Sequence, residues 1–119
     1  MQTSRPRPWY VYLLRCRDHS LYCGISNDLS RRIGQHNAGT GAKYVVPSRR
    51  PAVCVWKRRM GDRSQALSLE YWVKQLSTEA KGNLAGGRNA VRRGSSGEWK
   101  LVRGAAARGG GTGPLPPRV

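Results

Sequence analysis

The hydrophobic positions of this chain switch between a period of two and a period near 3.6, and each switch marks an element. WYVYLLRC (9–16) is aromatic and β-branched, and Tyr10, Tyr12 and Leu14 alternate onto one face, as a strand requires. RDHS (17–20) reads as a turn and LYCGI (21–25) as a second strand with Tyr22 and Gly24 on a common face, so the two make a hairpin. Glycine weakens a strand, so Gly24 marks either a bulge or a close backbone approach. Asn27 or Asp28 then caps a helix running to about Asn37. With Leu29 and Ile33 as its inward stripe, His36 falls beside them, Arg32 lies on the flank and Arg31 points away. The Gly-rich stretch NAGTGAKYVVPSRRP (37–51) is a loop carrying Lys43 and Tyr44, and AVCVWKR (52–58) is a third strand. Asp62 opens the longest helix, with Gln65 placed to complete a capping box and Ala66, Leu69, Val73 and Leu76 as its buried stripe. Ser77 or Thr78 starts a shorter helix to about Leu84.

Beyond Leu84 the periodicity gives way to composition, since residues 86–119 are rich in Gly, Arg, Pro and Ser. The expected organisation is a polar lead-in over 1–8, one domain over 9–84, a partly packed extension over 85–103 and a disordered Gly/Arg/Pro-rich tail over 104–119. Within the extension, EWKLV (98–102) either forms a short strand or lies down on the domain. The expected fold class is α/β in the α+β sense, a small central antiparallel three-stranded sheet flanked by helices.

Charge changes this picture more than length does. The 119 residues hold 22 Lys+Arg against 6 Asp+Glu, a formal net charge of +16. Such a surplus repels itself in a compact domain and is offset by a polyanion, whose condensed counterions are released when its phosphates are neutralised. A membrane surface also attracts cations, but there is no long basic amphipathic helix and no lipidation motif. Cys16, Cys23 and Cys54 form no C-x-x-C pair and have no close His spacing, which argues against a disulfide framework or a zinc site. The first residues lack the apolar run of a signal peptide and no stretch approaches membrane-spanning length, so the expected location is cytoplasmic.

Acid is scarce enough to assign residue by residue. Asp18 sits in the hairpin turn; Asp28, Asp62 and Glu79 lie at helix starts, where a carboxylate meets free backbone N–H groups; Glu98 is in the extension. That leaves Glu70, mid-helix at the edge of the apolar stripe. It is either an edge-of-core glutamate paired with Lys74 one turn on, or a metal ligand facing a phosphate. A two-metal cluster of carboxylates is excluded by supply.

These residues fall into a pattern that resembles the GIY-YIG nuclease superfamily, and most closely its small stand-alone bacterial members. Tyr10-Val11-Tyr12 stands for G-I-Y and Tyr22-Cys23-Gly24 for Y-I-G, at the usual spacing. DLSRRIGQH (28–36) resembles the family's helix, aligning its arginine with Arg32 and its His or Tyr with His36. ALSLEYWVKQL (66–76) resembles the helix that bears the single metal-binding glutamate, which maps to Glu70. Gly41-Ala42-Lys43-Tyr44 and Gly61-Asp62-Arg63-Ser64 match segments of the small bacterial members. The chain departs from the pattern at Tyr10, where the motif has glycine, and at Ile25, where some members carry lysine; Asn83 is an approximate counterpart of an asparagine found past the glutamate.

The resemblance implies a metal-dependent endonuclease acting on DNA, with RNA left open, in a structure-selective or repair-related setting. A protein partner for targeting is implied by the small size of the module. Glu70 would hold one Mg²⁺ or Mn²⁺, Arg32 would lie on the phosphate, and Tyr12 or Tyr22 would position or deprotonate the attacking water. A free phenol is protonated at neutral pH, so nearby positive charge must lower its pKa or His36 must relay the proton. Lys43 and Tyr44, with Arg31, are the candidate nucleic-acid contacts outside the catalytic set. The alternative is a non-catalytic nucleic-acid-binding module that keeps the fold.

Overall fold

The computed structural model of the chain describes residues 7–39 and 50–104. The first two strands, β1 (Trp9–Arg15) and β2 (Leu21–Ser26), pair antiparallel around the 16–20 turn, in which Asp18 Oδ1 accepts from the backbone N–H of Ser20 at 3.0 Å. The register sets Tyr12 opposite Gly24 and Leu14 opposite Tyr22. The strand β3 (Val53–Met60) pairs antiparallel with the other side of β1, giving the order β2-β1-β3. Between Leu13 and Leu14 this register shifts, so that Val55 is an extra residue on β3. The bulge is therefore on β3, and Gly24 takes the second of its two expected roles, a close approach.

Capping residues start the helices where the periodic pattern begins. α1 (Leu29–Ala38) is capped by Asp28, α2 (Arg63–Lys74) by Asp62 and α3 (Thr78–Ala85) by Ser77. At α2 the Asp62 carboxylate accepts from Gln65 N–H at 2.8 Å, while the Gln65 side chain accepts in return from the backbone of Gly61 at 3.3 Å. α1 ends at Gly39, whose φ of 90° is the left-handed conformation that closes a helix. One residue before the end, Asn37 behaves like a strand partner: its Nδ2 donates to Ala52 O at 2.9 Å and its Oδ1 accepts from Ala52 N–H at 2.7 Å.

The two sheet faces are covered differently. Val11, Leu13 and Cys23 face α2 and α3, packing with Ala66, Leu69, Val73 and Leu84 into the larger apolar cluster. Tyr12 and Leu14 face the α1 side, where Cys16, Ala52, Leu29 and Ile33 complete a smaller one. The result is the expected α+β arrangement, a three-stranded antiparallel sheet between helices, with three helices among the described residues.

The extension contributes more order than its composition signals. Trp99–Arg103 forms a strand, β5, the first of the two alternatives for EWKLV, and it pairs antiparallel with β4 (Asn89–Arg93). Val91, Leu101 and Trp99 of this hairpin pack onto the larger cluster. β4 was not foreseen, because NAVRR has one buried residue and three polar ones and shows no clear alternation. Of the expected disordered tail over 104–119, Gly104 is instead buried and donates its N–H to Arg88 O at 2.9 Å, and 105–119 lie outside the described residues.

Candidate active site

The register of β1 and β2 brings two tyrosines and a histidine together on the α1 face. Tyr12 is 1% exposed and its hydroxyl lies 3.3 Å from His36 Nε2. The Tyr22 ring stands edge-on to His36 with centroids 5.2 Å apart, and Tyr12 and Tyr22 are 6.5 Å apart. Gly24 makes this possible: a Cβ built there would sit 2.5 Å from the Tyr12 hydroxyl oxygen. His36 reaches the cluster because α1 buries its 29/33/36 face, and its side chain is fully enclosed.

Burial sets the protonation of this cluster. Desolvation pushes the Tyr12 phenol up to about 12, with the Tyr22 hydroxyl adding to the rise and the Arg32 guanidinium opposing it. Tyr12 is therefore a protonated phenol at neutral pH. The same desolvation, with Arg32 alongside, lowers His36 below its ordinary 6.5, so the imidazole is neutral there. Arg32 thus acts on both groups, and its Nη1 donates to Gln35 Oε1 at 3.1 Å, which fixes one end of the guanidinium. Gln35 and Asn37 are positioning residues that pattern reading did not single out. The i,i+3 spacing of Arg32 and Gln35 was the available signal; nothing in the sequence pointed to the pairing of Asn37 with Ala52.

Glu70 sits elsewhere in the layer structure. It is on α2, beside the buried Leu69, and its side chain is 16% exposed. Its carboxylate pairs with Lys74 Nζ at 3.3 Å and adds to the rise of the Cys23 thiol, which burial pushes up to about 12. Cys23 and Tyr22 are neighbours on β2, an edge strand, with side chains on opposite faces. Glu70 and the tyrosine cluster therefore flank the same sheet edge from its two sides. Arg31 is exposed on α1, its backbone N–H used by the Asp28 cap. Asn83 accepts from Arg88 Nε at 2.9 Å. Lys43 and Tyr44 lie outside the described residues.

A family model described as the GIY-YIG catalytic domain matches residues 8–83. The chain belongs to the GIY-YIG family. A UPF0213 protein of Vibrio cholerae is 47% identical over 83 residues, covering 69% of this chain and 81% of that protein. The UPF0213 protein YhbQ of Salmonella typhimurium is 42% identical over 83 residues, covering 70% and 82%. The solution NMR structure of a UPF0213 protein from Bacillus halodurans is 40% identical, covers 65% of this chain and 81% of that one, and has a TM-score of 0.42.

Membership in the GIY-YIG family implies a nuclease domain with nucleic acid as its substrate class, and such nucleases generally use a divalent metal. Among the described residues no group of three or more His, Cys, Asp or Glu could cage an ion. A GIY-YIG site needs less: Mg²⁺ keeps most of its waters and accepts one or two carboxylates plus phosphate oxygens. Glu70 fits that requirement, since its carboxylate is partly open to solvent and its salt-bridge partner among the described residues is the half-exposed Lys74. No helix among the described residues is long and apolar enough to cross a membrane.

Proposed function

We propose that this protein is an endonuclease that hydrolyses phosphodiester bonds in DNA with one Mg²⁺ or Mn²⁺ ion, in a structure-selective or repair-related role. The observation that carries the reading is the buried contact of Tyr12 with His36, 3.3 Å long and under the influence of Arg32. A histidine and a tyrosine desolvated against an arginine have no need of one another for packing alone, whereas hydrolysis needs a neutral proton acceptor beside a cation that binds phosphate.

In this reading Arg32 presents its planar fork to the phosphate, where negative charge develops. Tyr22, the more exposed of the two rings, meets the attacking water, and neutral His36 takes up the proton. Tyr12, protonated and enclosed, is a positioning residue that holds the imidazole. Glu70 would hold the metal ion, which when bound supplies Lewis-acid stabilisation of the phosphate oxygens. The β2 edge is where one substrate could meet both Glu70 and the tyrosine side. Arg31, Lys43 and Tyr44 are the proposed additional nucleic-acid contacts, and a protein partner would supply targeting.

The second reading, a module that binds nucleic acid without cutting it, draws on the Glu70–Lys74 pair, which gives the carboxylate an ordinary structural partner. A cleavage panel separates the two. Branched, single-stranded and duplex DNA, and RNA, are incubated with the purified chain in Mg²⁺ and in Mn²⁺. Nicking that vanishes in Glu70→Ala while binding persists is the expected result. Substrates bound but left intact in both metals would establish the second reading.

A further inference from the structure

We propose that the β4–β5 hairpin is a separate docking surface for the phosphate backbone of duplex DNA, outside the matched residues 8–83. The cations of the hairpin and its surroundings, among the described residues, divide by what they do in the fold. Arg58 donates from Nη1 to Val91 O and lies over the Trp99 ring, Arg93 packs on the same ring at 4.6 Å and donates to Gly97 O, and Arg88 donates to Asn83. These three arginines fasten the hairpin to the domain and to its own turn.

Arg92 and Lys100 do none of this. They stand directly opposite one another in the register, both are exposed, and neither pairs with a carboxylate among the described residues. Like charges placed opposite each other across an antiparallel pair destabilise it. Their face of the ribbon alternates with the one that carries Val91 and Leu101 to the core, so it is the outward face. The single acid of the hairpin, Glu98, is turned into the loop, where it accepts from Ser96 N–H at 3.1 Å, and so leaves the outward face uncompensated. A polyanion offsets what the fold leaves unpaired. Among the described residues the exposed large hydrophobics, Val53, Leu67 and Tyr71, all lie off the hairpin, so it offers no exposed large apolar side chain to a lipid surface. A two-stranded ribbon also has the width that the major groove of a duplex admits.

The test is a binding titration of the full chain with a fluorescent duplex DNA in EDTA, so that no cleavage occurs and the outcome is independent of the nuclease reading. Affinity is followed from low to physiological salt. Arg92→Gln/Lys100→Gln is expected to make the slope of log K against log salt less negative by about two, the loss of two phosphate contacts. Arg92→Lys is expected to keep the parent slope. Arg17→Gln/Arg59→Gln removes the same charge from two exposed cations elsewhere and is expected to change the slope far less. The Gln double variant loses no packed side chain and a like-charge contact, so its Tm should not fall. An unchanged slope, an equal change in the control variant, or a loss confined to binding of anionic phosphatidylglycerol vesicles would each overturn the proposal.

Discussion

The two faces of the three-stranded sheet are built from the same seven residues of β1, yet they do opposite things. On the α2 and α3 side, Val11 and Leu13 meet Ala66, Leu69, Val73 and Leu84, all 0–1% exposed, in a buried cluster whose one titratable member is the Cys23 thiol, with Glu70 at its edge. On the α1 side, Tyr12 and Leu14 share a smaller cluster with a tyrosine, a fully enclosed histidine and a flanking arginine. One face holds the domain together and leaves the other free to bury polar groups that would be poor core residues. A strand that alternates between aliphatic and aromatic-polar positions can serve both layers because its period is two.

The comparison breaks most visibly on the dry side. Leu69→Ala removes a wholly buried side chain from the larger cluster and is expected to cost about 2–5 kcal/mol in equilibrium unfolding by denaturant. A loss well below that range would mean that the α2 layer is not the principal core. Gly24→Ala tests the polar side. The new methyl would meet the Tyr12 ring at 2.5–2.8 Å, so the ring must shift, at about 1–3 kcal/mol in stability. Cleavage, if the proposed activity is present, should fall more than binding does, because the shift parts Tyr12 from His36.

The smallest expected effect comes from pH. His36 is held neutral in the fold, so the unfolded chain takes up a proton first as pH falls below 6.5. Stability contributed by this site is therefore complete above that pH and is lost as pH drops toward the lower folded value. A series of Tm measurements from pH 8 to 5 should decline for the parent chain and decline less for His36→Phe. Equal slopes in the two would remove the buried neutral imidazole from the account.

Much of this was legible in advance, and the gaps have physical causes. The hairpin, the three capped helices and the inward facing of His36 follow from periods and cap residues, which are local properties of a chain. Glu70 was legible as the carboxylate with no capping duty, but the sheet face it lies on was not, because a helical stripe shows that it is buried without showing against what. The direction of the Tyr12 shift was hidden for a related reason. The resemblance left open a phenol whose pKa nearby positive charge lowers or a proton relay by His36; for Tyr12, desolvation, which depends on every neighbour at once, outweighs the opposing Arg32. β4 escaped because its order comes from pairing with β5, itself one of two readings of EWKLV, and from Arg58, 33 residues away in sequence.

The two hydrogen bonds between the Asn37 side chain and the backbone of Ala52 have a consequence for how such a protein can diversify. They fasten together the two ends of the stretch 40–49, which carries Lys43 and Tyr44, one residue from His36 and one from the start of β3. Insertions inside that clasp leave the frame where it is, and doubling the length of chain between two fixed ends costs only about 0.6 kcal/mol in closure entropy. A lineage can thus rewrite the residues between Asn37 and Ala52, one by one or by whole segments, without retuning the buried histidine next to the clasp.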